Sequence, residues 1–232
     1  SLWLRINGFG SDSGRVSLVH YIQACRDLHS LKIPIVPEKT GAIGLALLAF
    51  RAVSGLECGV STGERFDVAS MKSPKPALQK GGAPARVYIQ QLNSFLSRDQ
   101  AERLFEVRGM RRFACDDTAC CKLGMAAMLG ANRRRHFVHT RIKEVETLAA
   151  PLSLRPARYL DKILRPATDQ LARVQTYKGL PDDLQKRLED ERRKHFGWLA
   201  TLTNPSLHRF TREEVAEFPR RVKGFQKAIS AK

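Results

Sequence analysis

Hydrophobic positions in the first 70 residues alternate between short β-rich runs and longer stretches with helical spacing. The β-rich runs are predicted strands: residues 2–10, 32–36 and 56–61. Two predicted helices, over residues 16–28 and 42–53, separate them. Strands that alternate with helices in this way are typical of βα units and a parallel sheet. We therefore predict an α/β segment over residues 1–70.

Residues 71–86 interrupt this pattern. They contain three prolines, two glycines and four basic side chains, and their apolar residues follow no period. Such a composition is typical of a loop or linker. The α/β segment is therefore predicted to end near residue 70, and a separate part to begin near residue 87.

Apolar side chains recur with helical spacing in the remainder of the chain. The predicted helices lie near residues 98–107, 122–130, 140–150, 157–176 and 182–200. Two pairs of residues, Ser97 with Gln100 and Thr211 with Glu214, have the capping-box spacing that begins many helices. Two helical parts result: a subdomain over residues 87–150 and a basic C-terminal region over residues 151–232.

Charge is distributed unevenly between these parts. The protein has 40 Lys and Arg against 23 Asp and Glu, a formal net charge of +17. Residues 1–70 contain seven of the basic and six of the acidic side chains, so residues 71–232 contain the other 33 and 17. An excess of positive charge on this scale favours a polyanion as partner. We therefore expect the second part of the chain to bind nucleic acid, either RNA or DNA.

The sequence has no features of a membrane or secreted protein. No run of 18 or more apolar residues occurs, and the first residues lack the basic-then-apolar order of a signal peptide. The five cysteines are an odd number and do not have the arrangement of a disulfide framework. These observations predict a cytoplasmic protein with no membrane partner.

Three of the five cysteines lie within seven residues, at Cys115, Cys120 and Cys121, and histidines follow at positions 136 and 139. Three thiolates and one imidazole are the four ligands that a tetrahedral structural zinc requires. We therefore predict a Cys3His zinc site and favour His139, at the start of a predicted helix, as the fourth ligand. His136 shares a helix face with His139 and remains an alternative. Buried thiols that bind no metal are the other interpretation.

Arginines surround this Cys/His cluster in the sequence. The planar guanidinium donates two hydrogen bonds to one phosphate, so a rigid group of arginines is suited to a nucleic-acid backbone. A solvated basic surface without a partner is the alternative. Six arginines are the predicted phosphate ligands: Arg111, Arg112, Arg133, Arg134, Arg135 and Arg141.

Glycines and carboxylates follow the predicted strands of the first part. Gly8 and Gly10 end the first strand, Glu38 follows the second, and Glu57 lies in the third. Because the carboxyl ends of parallel strands meet at one edge of a sheet, these loops can form a pocket for a base or small ligand. Glu57 and Glu38 are the candidates for nucleophilic or acid/base roles. Ordinary βα turns are the alternative interpretation.

The order of these parts resembles the C-terminal half of a tRNA-guanine transglycosylase. The segment Ile6-Asn7-Gly8-Phe9-Gly10 is similar to that family's Gly-Gly substrate loop, and residues 56–65 resemble its last barrel strand, with Glu57 in the place of the nucleophilic Asp. The Cys cluster and His139-Thr140-Arg141 resemble the family's Cys-x-Cys-x-x-Cys and later His. The resemblance covers about residues 1–150.

The resemblance implies the C-terminal portion of a TIM-type (β/α) barrel followed by a zinc-binding, mainly helical subdomain. It also implies base exchange in tRNA or DNA, with Glu57 as nucleophile, Gly8, Gly10 and Glu38 in the substrate pocket, and a structural Zn²⁺. The N-terminal half of such a barrel, or another protein chain, would then be a further partner. The second hypothesis is a non-catalytic, zinc-stabilised module that positions RNA or DNA for a partner.

Overall fold

The N-terminal part of the protein contains a parallel βαβ unit. In the computed structural model, which describes residues 1–5, 15–38, 40–57 and 86–208, strand β1 (Leu2–Leu4) pairs in parallel with β2 (Ile35–Pro37). Helix α1 (Arg15–Asp27) connects the two strands, and helix α2 (Ile43–Ala49) follows β2. The two paired strands and both helices agree with the first two of the predicted strands and with the two predicted helices.

The chain after α2 returns alongside β2. The backbone N–H of Ser54 donates to the carbonyl of Ile35 at 2.9 Å, and that of Glu57 donates to Pro37 at 3.3 Å. The third predicted strand, residues 56–61, thus begins beside β2, but its residues from 58 onward lie outside the described part of the chain. Each sheet among the described residues has two strands and none closes into a barrel, so the TIM-type barrel stays a prediction.

A hairpin that the sequence analysis did not predict begins the second part. Strands β3 (Arg86–Ile89) and β4 (Ser94–Ser97) pair antiparallel and place Tyr88 opposite Phe95. Asn93 makes the turn with a φ of +43°, a left-handed conformation that asparagine tolerates better than most residues. The β-branched and aromatic run of residues 87–89 was the available sequence signal.

Five helical segments follow the hairpin in the order that the sequence predicts. They are α3 (Arg98–Glu106), α4 (Met125–Leu129), α5 (Arg133–Thr147), α6 (Arg155–Tyr159) with α7 (Arg165–Val174), and α8 (Asp182–Leu202). Ser97 accepts the N–H of Gln100 at 3.1 Å and Gln100 Oε1 accepts the N–H of Ser97 at 3.0 Å, which confirms the first capping box. The second, at Thr211, lies outside the described residues.

A π-helical segment, Leu160–Leu164, joins α6 to α7. The backbone N–H of Arg165 donates to the carbonyl of Leu160, five residues earlier. Pro166 follows at once; it has no N–H, and its ring would clash with the carbonyl four residues earlier in a regular α-helix. The wider π turn accommodates the proline without a break in the helix.

Two hydrophobic cores share the C-terminal helices. The first combines α1 and α2 with buried residues of α6, the π segment and the end of α8, including Trp198 and Leu202. The second combines the hairpin, α3 and α4 with α7 and the start of α8, including Leu184 and Leu188. The described residues after 150 therefore pack as parts of both cores, because α8 is long enough, at 21 residues, to span them.

No helix among the described residues is long and apolar enough to cross a membrane.

Candidate metal centre and basic surface

Three thiols and one imidazole converge between α3, α4 and α5. Cys115, Cys120 and Cys121 come from the loop before α4, and His136 comes from the first turn of α5. Their ligand atoms all lie within 4.8 Å of one another, and only Cys115 is partly exposed. Cys115 Sγ is 3.5 Å from Cys120 Sγ, and Cys120 Sγ is 3.7 Å from Nδ1 of His136. This cluster could hold a metal ion.

The backbone forms a tight turn between Asp117 and the adjacent cysteines Cys120 and Cys121. The carbonyl of Asp117 accepts the N–H groups of Cys120, at 3.3 Å, and Cys121, at 2.7 Å. The carbonyl of Cys121 then accepts the N–H of Gly124 at 2.6 Å, and Gly124 has a φ of +59°, which glycine adopts without strain. The turn directs the adjacent thiols of Cys120 and Cys121 into one buried cluster.

The second ring nitrogen of His136 is held by the hairpin. Nε2 of His136 lies 3.0 Å from the backbone carbonyl of Tyr88, an acceptor only, so Nε2 carries the proton and donates. Nδ1 is therefore the nitrogen with a free lone pair, and it faces the thiols. Burial lowers the pKa of His136 and favours the neutral ring that a metal requires.

His139, the fourth ligand that the sequence favoured, contacts Asp117 and is not part of the group of three thiols and one imidazole. Its Nε2 is 2.9 Å from Oδ2 of Asp117, and the ammonium of Lys143 contacts the same oxygen. Asp117, Cys120 and His139 form a second group of potential ligands, but it shares Cys120 with the first and includes a carboxylate paired with Lys143. The Lys143 ion pair holds the pKa of Asp117 well below its usual range. The geometry thus favours His136, one turn earlier, as the histidine beside the thiols.

Arg141 must be removed from the predicted phosphate ligands. Its side chain is only 3% exposed, and Nη1 lies 2.9 Å from Oε2 of Glu144, which is equally buried. The guanidinium also lies over the rings of Tyr88 and Phe137, at 5.1 and 5.2 Å from their centroids. A buried guanidinium that already has a carboxylate partner cannot reach a nucleic-acid backbone. The sequence could not reveal this, because Arg141 follows three consecutive arginines in a basic stretch and nothing local marks it as buried.

The other five predicted arginines are at least partly accessible. Arg134 and Arg135 are exposed, and Arg133 is half-buried in the first turn of α5. Arg111 and Arg112 are exposed before the first cysteine; the guanidinium of Arg112 lies over the rings of Phe113 and Tyr177. Among the residues that the structure describes, none of the five has a carboxylate within ion-pair distance.

The arginines of α8 provide a contrast. Arg187 pairs with Glu191 at 2.7 Å, Arg192 with Glu189 at 2.8 Å, and Arg193 with Glu189 at 2.9 Å. These (i, i+3) and (i, i+4) pairs balance much of the positive charge of α8 locally. The unbalanced positive charge of the described residues thus includes the arginines next to the Cys/His cluster.

The predicted base pocket is only partly described. Gly8 and Gly10 lie outside the described residues. Glu38 follows β2 as predicted, and its carboxylate forms an ion pair with Arg5. Glu57 is half-buried, and its backbone continues the contact with β2. A nucleophilic role for Glu57 and a substrate role for Glu38 remain predictions.

The chain matches no model of a protein family, and no curated protein or solved structure is significantly similar to it. The resemblance to tRNA-guanine transglycosylases therefore rests on the sequence motifs alone.

Proposed function

We propose that this chain is a zinc-stabilised nucleic-acid-binding module in which the Cys3His centre fixes the start of α5 and its arginines hold the phosphate backbone. The observation that carries the proposal is the position of His136. His136 directly follows Arg133, Arg134 and Arg135. The histidine that would bind the metal and the three arginines therefore belong to one helical turn.

The separations between ligand atoms support zinc as the metal. A tetrahedral zinc with bonds of about 2.3 Å to sulfur and about 2.0 Å to nitrogen places two thiolates about 3.8 Å apart and a thiolate and imidazole about 3.5 Å apart. The corresponding distances, Cys115 to Cys120 and Cys120 to His136, are 3.5 and 3.7 Å. A disulfide would require about 2.05 Å between the sulfurs. Zinc bound here would supply structural stabilisation, with all four positions filled by protein ligands.

The charge at the start of α5 supports a phosphate ligand. The positive end of the helix dipole disfavours cations in the first turn, yet α5 begins with three arginines and has no acidic residue there. Asn132, at the N-cap position, makes no side-chain cap hydrogen bond. The first-turn N–H groups and the three arginines thus place positive charge at the same end of α5, where helix N-termini bind anions. A phosphate backbone would relieve the repulsion among the three arginines.

The experiment that tests this proposal measures affinity for RNA and duplex DNA against salt concentration. For each duplex phosphate neutralised, log Kobs falls by about 0.9 per log unit of salt. Replacement of Arg133, Arg134 and Arg135 by Gln should reduce that slope by about 2 to 3 units and weaken binding to all sequences alike.

The matched control removes the same charge from paired arginines. Arg165→Gln, Arg192→Gln and Arg193→Gln together lower the net charge equally, but each of these side chains has a carboxylate partner. The control should keep most of the wild-type slope. A slope that responds equally to both triple variants would show that only overall charge matters and would contradict a site at α5.

A further inference from the structure

A pocket of about 490 Å³ lies on the opposite part of α5 from the metal cluster, between that helix and the segment that follows α2. Its volume is within the range of small-molecule sites, about 300–1,000 Å³. Leu48 and Leu148 are buried in its floor, while Ile142 is 52% exposed at its mouth. The lining is mostly aliphatic: Leu48, Leu56, Val138, Ile142, Val145 and Leu148.

The cations in this lining differ in their partners. Arg141 contributes to the wall, but Glu144 already neutralises it at 2.9 Å. Arg155 is half-buried at the start of α6, and its Nε donates to the backbone carbonyl of Ala150 at 3.3 Å. Among the described residues no carboxylate lies within ion-pair distance of Arg155. Its terminal nitrogens are thus the donors that an anion in the pocket would meet.

Burial lowers the pKa of Arg155, because the charged guanidinium loses hydration without a compensating negative charge. A bound anion would supply that charge. Glu146, the acidic residue of the lining, is exposed, so its carboxylate remains hydrated.

We propose that this pocket binds a small organic anion with an aliphatic body, whose carboxylate pairs with Arg155 and whose chain contacts the leucine and valine side chains. The absence of aromatic side chains among the described lining residues argues against a nucleobase, since bases are usually held by stacking. The site is separate from the proposed phosphate contacts at the start of α5, and it goes beyond the nucleic-acid-binding function.

Octanoate, octanol and octylammonium are suitable probes, because they share one aliphatic chain and differ in the head group. Calorimetric titration of the full chain should show binding of octanoate, weaker binding of octanol and no binding of octylammonium. Backbone and methyl NMR shifts caused by octanoate should be centred on Val138, Val145 and Leu148. Arg155→Gln should weaken octanoate binding about tenfold, the effect of one lost charge-assisted hydrogen bond or ion pair.

Arg158→Gln is the matched control. Arg158 is an exposed arginine on the same helix that donates to the carbonyl of Thr147 and does not line the pocket. The Arg158→Gln variant should bind octanoate with the affinity of the wild type. Thermal unfolding of both variants without ligand checks that they are folded.

Four results would overturn the proposal. They are no octanoate binding to the folded wild type, equal affinity of the wild type and Arg155→Gln, preference for octylammonium, and NMR shifts away from the pocket. A second variant, Val145→Phe, keeps the proposal testable if Arg155→Gln fails to fold. It should block the aliphatic chain and abolish binding, and unchanged binding would again contradict the site.

Discussion

Nε2 of His136 lies 3.0 Å from the backbone carbonyl of Tyr88 and ties helix α5 to strand β3. The bond fixes the ring so that Nδ1 faces Cys120. Outer hydrogen bonds of this kind orient metal-binding histidines and raise their basicity. The affinity for the metal should therefore depend on an intact hairpin, and the stability of the hairpin should depend on bound metal.

Removal of the metal should destabilise the second core more than the first. Bound zinc would contribute free energy to folding, and the cysteine loop with its neighbours Phe113 and Met128 belongs to the second core. Hydrogen exchange with and without a chelator measures the effect. Amides of residues 87–89 should exchange faster after chelation, whereas those of α2 should change little. Equal loss of protection in both places would contradict a local effect of the metal.

The ion pair of Arg141 and Glu144 should be costly to break from one side. Both side chains are buried, burial raises the pKa of Glu144, and the Tyr88 hydroxyl donates to Glu144 Oε1 at 2.7 Å. Arg141→Met leaves the carboxylate buried without its cation and should lower the free energy of unfolding by about 3–5 kcal/mol. Urea unfolding measures this change.

The double variant Arg141→Met with Glu144→Gln separates the cost of an orphaned charge from that of lost packing. It removes both charges and should be more stable than Arg141→Met alone. If the two substitutions instead destabilise the protein additively, the buried pair has no special energetic role.

His195 should make the protein less stable in acid. Its ring is fully buried near Trp198, and burial lowers its pKa to about 3. An unfolded chain binds a proton to this histidine below about pH 6.5. The free energy of unfolding should therefore fall as the pH decreases from 6.5 towards 3, by up to about 1.4 kcal/mol per pH unit from this group.

His195→Phe should lose that part of the pH dependence, which unfolding at a series of pH values can measure. His20→Phe is the control, because the side chain of His20 is exposed on α1. A pH profile that is the same for His195→Phe and the wild type would contradict the role of burial.

The capping box at Ser97 should stabilise α3. Ser97 Oγ accepts the N–H of Gln100, and Ser97→Ala removes that acceptor. The expected loss is about 1 kcal/mol in the free energy of unfolding. Ser153→Ala, at an exposed position outside the longer helices, should change stability by less than about 0.5 kcal/mol. Equal effects would show that the cap contributes little.

The sequence predicted the helices better than the hairpin. Helices α3 and α8 have caps or first-turn acids and strong apolar periodicity, and their observed bounds differ from the predicted ones by at most two residues. The hairpin has two four-residue strands and a left-handed Asn93 instead of an Asn-Gly turn, so its local signal was weak. It is held by tertiary contacts: Val87, Ile89, Leu92 and Leu96 are buried in the second core, and Tyr88 and Phe95 contact Phe137 of α5.

The three cysteines of the cluster could be found from spacing, but the choice of histidine could not. His136 and His139 are three residues apart, almost one helical turn. Which of them lies beside the cysteine loop therefore depends on where α5 begins. Hydrophobic spacing predicts a helix from near residue 140, whereas α5 begins at Arg133 and already contains both histidines. The burial of Arg141 follows from the same earlier start, which places this residue in the middle of the helix against Tyr88.

Metal analysis of three purified proteins tests the central claim most directly: the wild type, His136→Asn and His139→Asn. The ratio of zinc to protein should be one in the wild type and close to one in His139→Asn, since His139 is outside the group of three thiols and one imidazole and its Nε2 lies 2.9 Å from Oδ2 of Asp117. His136→Asn should lose most of the zinc, because the ring that faces Cys120 is gone. A wild type without zinc, or zinc that is retained by His136→Asn and lost by His139→Asn, would contradict this account.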